Sequence, residues 1–132
     1  MSISKSRILI AEPDPDIRKT MQIYFENNGH EVQTTHLAGE VVKAARPWQP
    51  NVILISSDCN DKDSYRVCEE LLEDTLTGHI PLIMLLHLNE REARLAALEA
   101  GASDVIVKPY DLEELYLRVE AAIRLATTRL GV

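Results

Sequence analysis

Four side chains in this sequence carry chemistry of interest: the carboxylates of Glu12 and Asp58, the hydroxyl of Ser56 and the ammonium of Lys108. Each stands at or just past the end of an apolar run, namely Ile8–Ala11, Val52–Ile55 and Val105–Val107. Carboxylates are hard oxygen ligands, suited to a cation. A serine hydroxyl is uncharged at neutral pH, is a poorer ligand for a hard metal than a carboxylate, and cannot form an acyl phosphate. The Lys108 ammonium, near the edge of a sheet, must be solvated or paired. It is expected to contact Glu12 first, then Asp58 or nearby carbonyls. Asp61 and Asp63 are expected to turn the chain and cap the helix that follows. Cys59 and Cys68 are nine residues apart with no second Cys/His pair at metal spacing, so neither a zinc site nor a disulfide framework is indicated, and Cys68 reads as a small core residue. No glycine-rich loop follows the first apolar run, which argues against a bound nucleotide or flavin. Neither a cofactor nor a metal is expected.

Positioning these groups takes five strands and five helices. Strand patterns cover Ile8–Ala11, Glu31–Thr35, Val52–Ser56, Pro81–Leu86 and Asp104–Val107, three of them nearly continuous Ile, Leu and Val, as in strands buried on both faces of a parallel sheet. The first helix is capped by Asp14 with Pro15 at its first position, turns Ile17, Met21 and Tyr24 or Phe25 to one face and stops at Asn28-Gly29. The second is expected over about Ala38–Ala45, ended by the prolines of Arg46-Pro47-Trp48-Gln49-Pro50, with Trp48 in an exposed loop as a partner contact or packed over the sheet's lower edge. The third starts near Asp63 or Ser64 and carries Tyr65, Val67, Cys68, Leu71 and Leu72. The fourth opens with a capping box from Asn89 to Glu92 and closes at Gly101. The last covers about Asp111–Thr127 with Leu112, Leu115, Val119, Ala122 and Ile123 inward. Such alternation predicts right-handed crossovers and a doubly wound parallel sheet. Flavodoxin-like strand order would be 2-1-3-4-5, with chemistry at the C-terminal strand ends.

One domain spanning 1–132 suits the length, and 45% apolar with 27% charged residues suits a globular core. A net charge of −7 with scattered Lys and Arg argues against nucleic acid as a partner. The apolar run before Glu12 is too short for a signal peptide or a membrane span, so a cytoplasmic location without membrane contact is expected.

From Arg7 to about Leu125 the chain resembles the response-regulator receiver family of two-component, phosphorelay signalling. The resemblance lies in residues 8–18 (ILIAEPDPDIR), 63–68 (DSYRVC), 79–85 (HIPLIML) and 97–110 (ALEAGASDVIVKPY). It implies a flavodoxin-like (βα)5 fold and a signalling module that is not an enzyme. It also implies a pocket in which an acidic pair and an acceptor aspartate hold Mg²⁺ while a hydroxyl and a lysine hold the phosphoryl oxygens. Here the pair becomes Glu12 and Pro13, the acceptor Ser56, the hydroxyl Leu86 and the aromatic switch residue Val105, leaving only Glu12 and Lys108. The Lys108-Pro109 step resembles the family's cis dipeptide.

The resemblance thus points to a degenerate pseudo-receiver, unable to accept phosphate and acting through protein contact with a kinase or an effector. The alternative is a phosphorylatable receiver using Asp58 as acceptor with Mg²⁺. Contact through the fourth helix, fifth strand and fifth helix is expected, where Arg91, Arg94, Asp104, Glu114 and Arg118 offer both charge signs for a homodimer or, equally, for local pairs on a solvated face. The protein is expected either to stand alone or to be part of a longer regulator.

Overall fold

The computed structural model describes residues 5–87 and 90–129. Its elements are β1 (Arg7–Ala11), α1 (Pro15–Asn27), β2 (Glu31–Thr35), a 3-10 turn (Ala38–Glu40), α2 (Val41–Trp48), β3 (Val52–Ser56), α3 (Ser64–Glu73), β4 (Leu82–Leu86), α4 (Arg91–Glu99), β5 (Asp104–Val107) and α5 (Leu112–Arg129). All strand pairs are parallel, in the order β2-β1-β3-β4-β5. This is the expected doubly wound (βα)5 sheet. Every residue of β3 and β4 is buried, which explains their unbroken apolar sequences: each strand has helices over both faces. Edge strand β2 (EVQTT) is polar and only half-covered.

Alternation along the strands divides the core in two. Leu9, Ile53, Ile55, Met84 and Leu86 pack with Val41, Val67, Leu71 and Ala97 from α2, α3 and α4. Ile8, Ile10, Leu54, Ile83 and Leu85 pack with Met21, Phe25, Leu115 and Val119 from α1 and α5. Register brings Ala11 beside Ile55, Ser56 beside Leu85 and Leu86 beside Val107, so the C-terminal strand ends share one rim.

Asp14 caps α1, its Oδ1 accepting the N–H groups of Asp16 and Ile17 at 2.9 and 3.2 Å ahead of Pro15. Asp63 caps α3 by accepting Tyr65 N–H at 2.9 Å. At the start of α4, Glu90 occupies the cap position without a side-chain capping bond, while Asn89, expected to cap it, lies outside the described residues. Gly101 follows α4 with φ +114°, and a Cβ there would stand 2.9 Å from Leu72 Cδ2.

Two expectations about the second helix need correction. Helix α2 runs through Arg46-Pro47-Trp48 and ends at Gln49, whose left-handed φ of 53° turns the chain. In the last turn, Pro47 forfeits a single backbone bond, while Gln49 N–H still bonds to Ala45 C=O at 2.9 Å. Trp48 is therefore helical and half-buried against the α2–α3 core, with the Arg7 guanidinium 5.9 Å over its ring and donating to its carbonyl at 2.8 Å. Val67, Cys68 and Leu71 fill the buried face of α3, and Leu72 is exposed on its flank against Gly101.

Candidate functional site

The rim above β1, β3 and β5 gathers the four groups singled out in the sequence. Glu12 is 0% exposed, at the start of the β1–α1 loop. Its Oε2 accepts Asp14 N–H at 3.0 Å and its backbone N–H bonds to Thr35 C=O at 3.0 Å. Its Oε1 lies 2.6 Å from Lys108 Nζ. Oε1 receives no aligned hydrogen bond and is the one such buried side-chain oxygen or nitrogen among the described residues, so the ammonium holds it by charge. Outside this pair, Arg18 Nη1 donates to the carbonyls of Glu12 and Pro13 at 2.8 and 3.4 Å. Pro13 itself brings no carboxylate.

Ser56 ends β3 fully buried. Its Oγ accepts Asp58 N–H at 3.1 Å and Lys108 Nζ at 2.9 Å, and its carbonyl accepts the Ser64 hydroxyl at 2.8 Å. Both partners of the oxygen are N–H donors. Neither draws off the hydroxyl proton, so the contacts do not activate a nucleophile. Asp58 Oδ2 lies 3.1 Å from Lys108 Nζ and 3.8 Å from His87 Nδ1. Lys108, its side chain 10% exposed, thus reaches both carboxylates expected for it and the serine as well. Its backbone N–H bonds to Leu86 C=O at 2.7 Å, and the peptide to Pro109 is cis.

Leu86 lies within the apolar core and Val105 packs half-buried against it, so neither presents a polar group or an aromatic ring to the rim. Burial, followed by the negative charges of Asp61 and Glu12, raises the Cys59 thiol to about 11. Burial, followed by Asp63 and Glu69, raises Cys68 to about 12. Both are poor nucleophiles at neutral pH. Cys68 is the core residue expected of it.

The sequence did not reveal what Asp61 does. Only Asp63 caps α3, whereas Asp61 reaches across to the 3-10 turn and accepts the N–H groups of Ala38 and Gly39, both at 2.9 Å. Ser57 adds a further tie, its Oγ accepting His87 N–H at 3.3 Å. Away from the rim, Arg118 donates to both oxygens of Asp104 at 3.0 and 3.2 Å and to Glu114 at 3.1 Å, while Arg91 is exposed and Arg94 half-buried on α4. The hydrogen bonds to Asp104, then Glu114, raise the Arg118 pKa.

Comparison with known proteins identifies the family and supports the fold. Residues 8–120 match the family model for the response regulator receiver domain, and the chain belongs to that family. It is 33% identical over 118 residues to the DNA-binding dual master transcriptional regulator RpaA of Synechocystis, covering 89% of this chain and 49% of the relative. It is 32% identical over 119 residues to the phosphate regulon transcriptional regulatory protein PhoB of Escherichia coli, covering 89% of this chain and 52% of the relative. The chain spans about half the length of these curated relatives. Among solved structures, a CheY-like receiver domain protein from Methanospirillum hungatei superposes with TM-score 0.88 over 96% of this chain and 99% of the other. At 24% identity that likeness shows the fold. No helix among the described residues is long and apolar enough to cross a membrane.

With Lys108 in the pocket, the divalent ion implied by the receiver resemblance does not fit these residues. Pro13 and Ser56 supply no carboxylate, and the ammonium stands 2.6 Å from Glu12, the acidic ligand that remains. Among the described residues no group of three or more His, Cys, Asp or Glu is arranged to hold a metal.

Proposed function

We propose that this receiver domain signals by protein contact without accepting a phosphoryl group. The observation that carries the proposal is Ser56 at the end of β3, buried and hydrogen-bonded to two N–H donors, at the point where a receiver needs an ionised carboxylate. Leu86 and Val105 support it, since a phosphoryl group would find neither a hydroxyl on β4 nor an aromatic switch on β5.

The contact surface proposed is the α4–β5–α5 face, and the partner a second copy or a signalling protein. Leu98 of α4 lines one hollow with Asp104 and Arg118, so exposed apolar surface adjoins the Asp104–Arg118–Glu114 ion pairs and both charge signs there.

Incubation with acetyl phosphate and Mg²⁺, read by intact-mass spectrometry, tests the chemistry. The mass is expected to stay unchanged. A stoichiometric acid-labile adduct would overturn the proposal, and its mapping to Asp58 would establish that residue as the acceptor instead.

A further inference from the structure

We infer that the Lys108 ammonium is the pocket's resident cation: it takes the place of a divalent ion and shuts one out. Three oxygens, from two loops and the end of β3, surround Nζ, with Glu12 Oε1 at 2.6 Å, Ser56 Oγ at 2.9 Å and Asp58 Oδ2 at 3.1 Å. The contact to Glu12 is charge-held rather than an aligned hydrogen bond, as a contact to an ion would be.

Charge count fits the same conclusion. With serine at position 56 the pocket sets two carboxylates against one ammonium, a balance that a monovalent cation can hold. A third carboxylate would leave a larger excess of negative charge and call for a divalent ion. The coordinating oxygens are also engaged: Arg18 holds the carbonyls of Glu12 and Pro13 from outside while Lys108 holds the Glu12 carboxylate from within. A divalent ion entering here would meet an ammonium of like charge at contact distance.

It follows that the native pocket is indifferent to divalent ions and that removing the ammonium uncovers a site for them. Native protein should therefore melt at the same temperature, within about 1 °C, in EDTA or in roughly 10 mM MgCl₂ or MnCl₂, because a ligand stabilises only by binding the folded state. Lys108→Met should melt roughly 10 °C lower in EDTA, as a buried charge that loses its partner requires. It should regain at least about 3 °C in ~10 mM Mn²⁺. Glu12→Gln/Lys108→Met should lose less stability and show no response to metal.

Stabilisation of the native protein by Mg²⁺ would overturn the inference. So would a Lys108→Met protein that is destabilised yet unresponsive to metal, since Lys108 would then be an ordinary ion-pair partner. Should that variant not fold, the native protein still decides. One ¹⁵N lysine ammonium signal protected from solvent exchange at pH 7 is expected, and its absence would refute the resident cation. Acetyl phosphate labelling reports on Ser56 and Asp58 chemistry, so the two proposals can fail separately.

Discussion

Asp61 grips the backbone at Gly39, 22 residues earlier: Oδ2 accepts the Gly39 N–H at 2.9 Å while Oδ1 holds the Ala38 N–H at the same distance. The β3–α3 loop is thereby fastened to the turn after β2. Burial works against the charged form, but the Gly39 and Ala38 donors outweigh it and hold the Asp61 carboxyl below its usual 3.8. Its stabilisation is therefore present above pH 3.8 and is lost as pH falls through the lower folded-state value.

Asp61→Ala should lower stability in urea titrations at pH 7 by about 1 kcal/mol, since the lost bonds are charge-assisted but open to solvent. Gly39→Ala brings a Cβ to 3.0 Å from Oδ2, so the carboxylate must give by a few tenths of an ångström. The helical preference of alanine over glycine, up to about 1 kcal/mol, offsets that strain. The substitution should be nearly neutral. Equal losses for the two variants would show that the 3-10 turn, rather than the carboxylate, sets the stability of this rim.

His30 makes stability depend on pH nearer neutrality. Its Nδ1 accepts Ser6 N–H at 3.1 Å, which requires an unprotonated nitrogen there, and Nε2 lies 2.7 Å from Tyr116 Oη. Burial lowers its pKa from 6.5, opposed by the negative Glu120. In the window just below 6.5 the unfolded chain binds the proton more readily, so stability rises with pH there and falls on acidification. Native protein should lose stability between pH 7.5 and 5.5, and His30→Gln should flatten that dependence. An unchanged slope in the variant would assign the effect to other groups.

Ser56→Asp with Pro13→Asp tests the charge balance from the opposite side. With Glu12 and Asp58 the pocket then holds four carboxylates against one ammonium, so the variant should be less stable than native protein in EDTA. Mg²⁺ at ~10 mM should raise its melting temperature by at least about 3 °C. Leu86 and Val105 remain, so acetyl phosphate should leave backbone amide spectra of α4 and β5 unchanged. A phosphate-dependent shift across that face would contradict the roles given to those two residues.

The fold was legible because local chemistry and global topology agree. Unbroken apolar runs at Val52–Ile55 and Leu82–Leu86 announce strands covered on both faces, and Asp14-Pro15 and Asp63 mark helix starts that the caps then occupy. The partners of Lys108 could be foreseen because parallel strands carry their C-terminal ends to one rim and an ammonium there needs carboxylates. Asp61 could not, since an aspartate two residues before a cap reads as a local turn and its true partners lie across the sheet's edge. Nor could the His30–Tyr116 bond, 86 residues apart, which no local pattern encodes. Proline misled at position 47 because the residue signals a break, while a last helical turn has little hydrogen bonding left to lose.

The 2.6 Å contact between Lys108 and Glu12 has a further consequence. An ion carried on a side chain cannot be removed by a chelator or diluted by the cell. Its effective concentration is set by the reach of four methylenes, not by the surrounding magnesium. On the inference drawn above, a receiver built this way holds its rim in one state whatever the metal content of its medium.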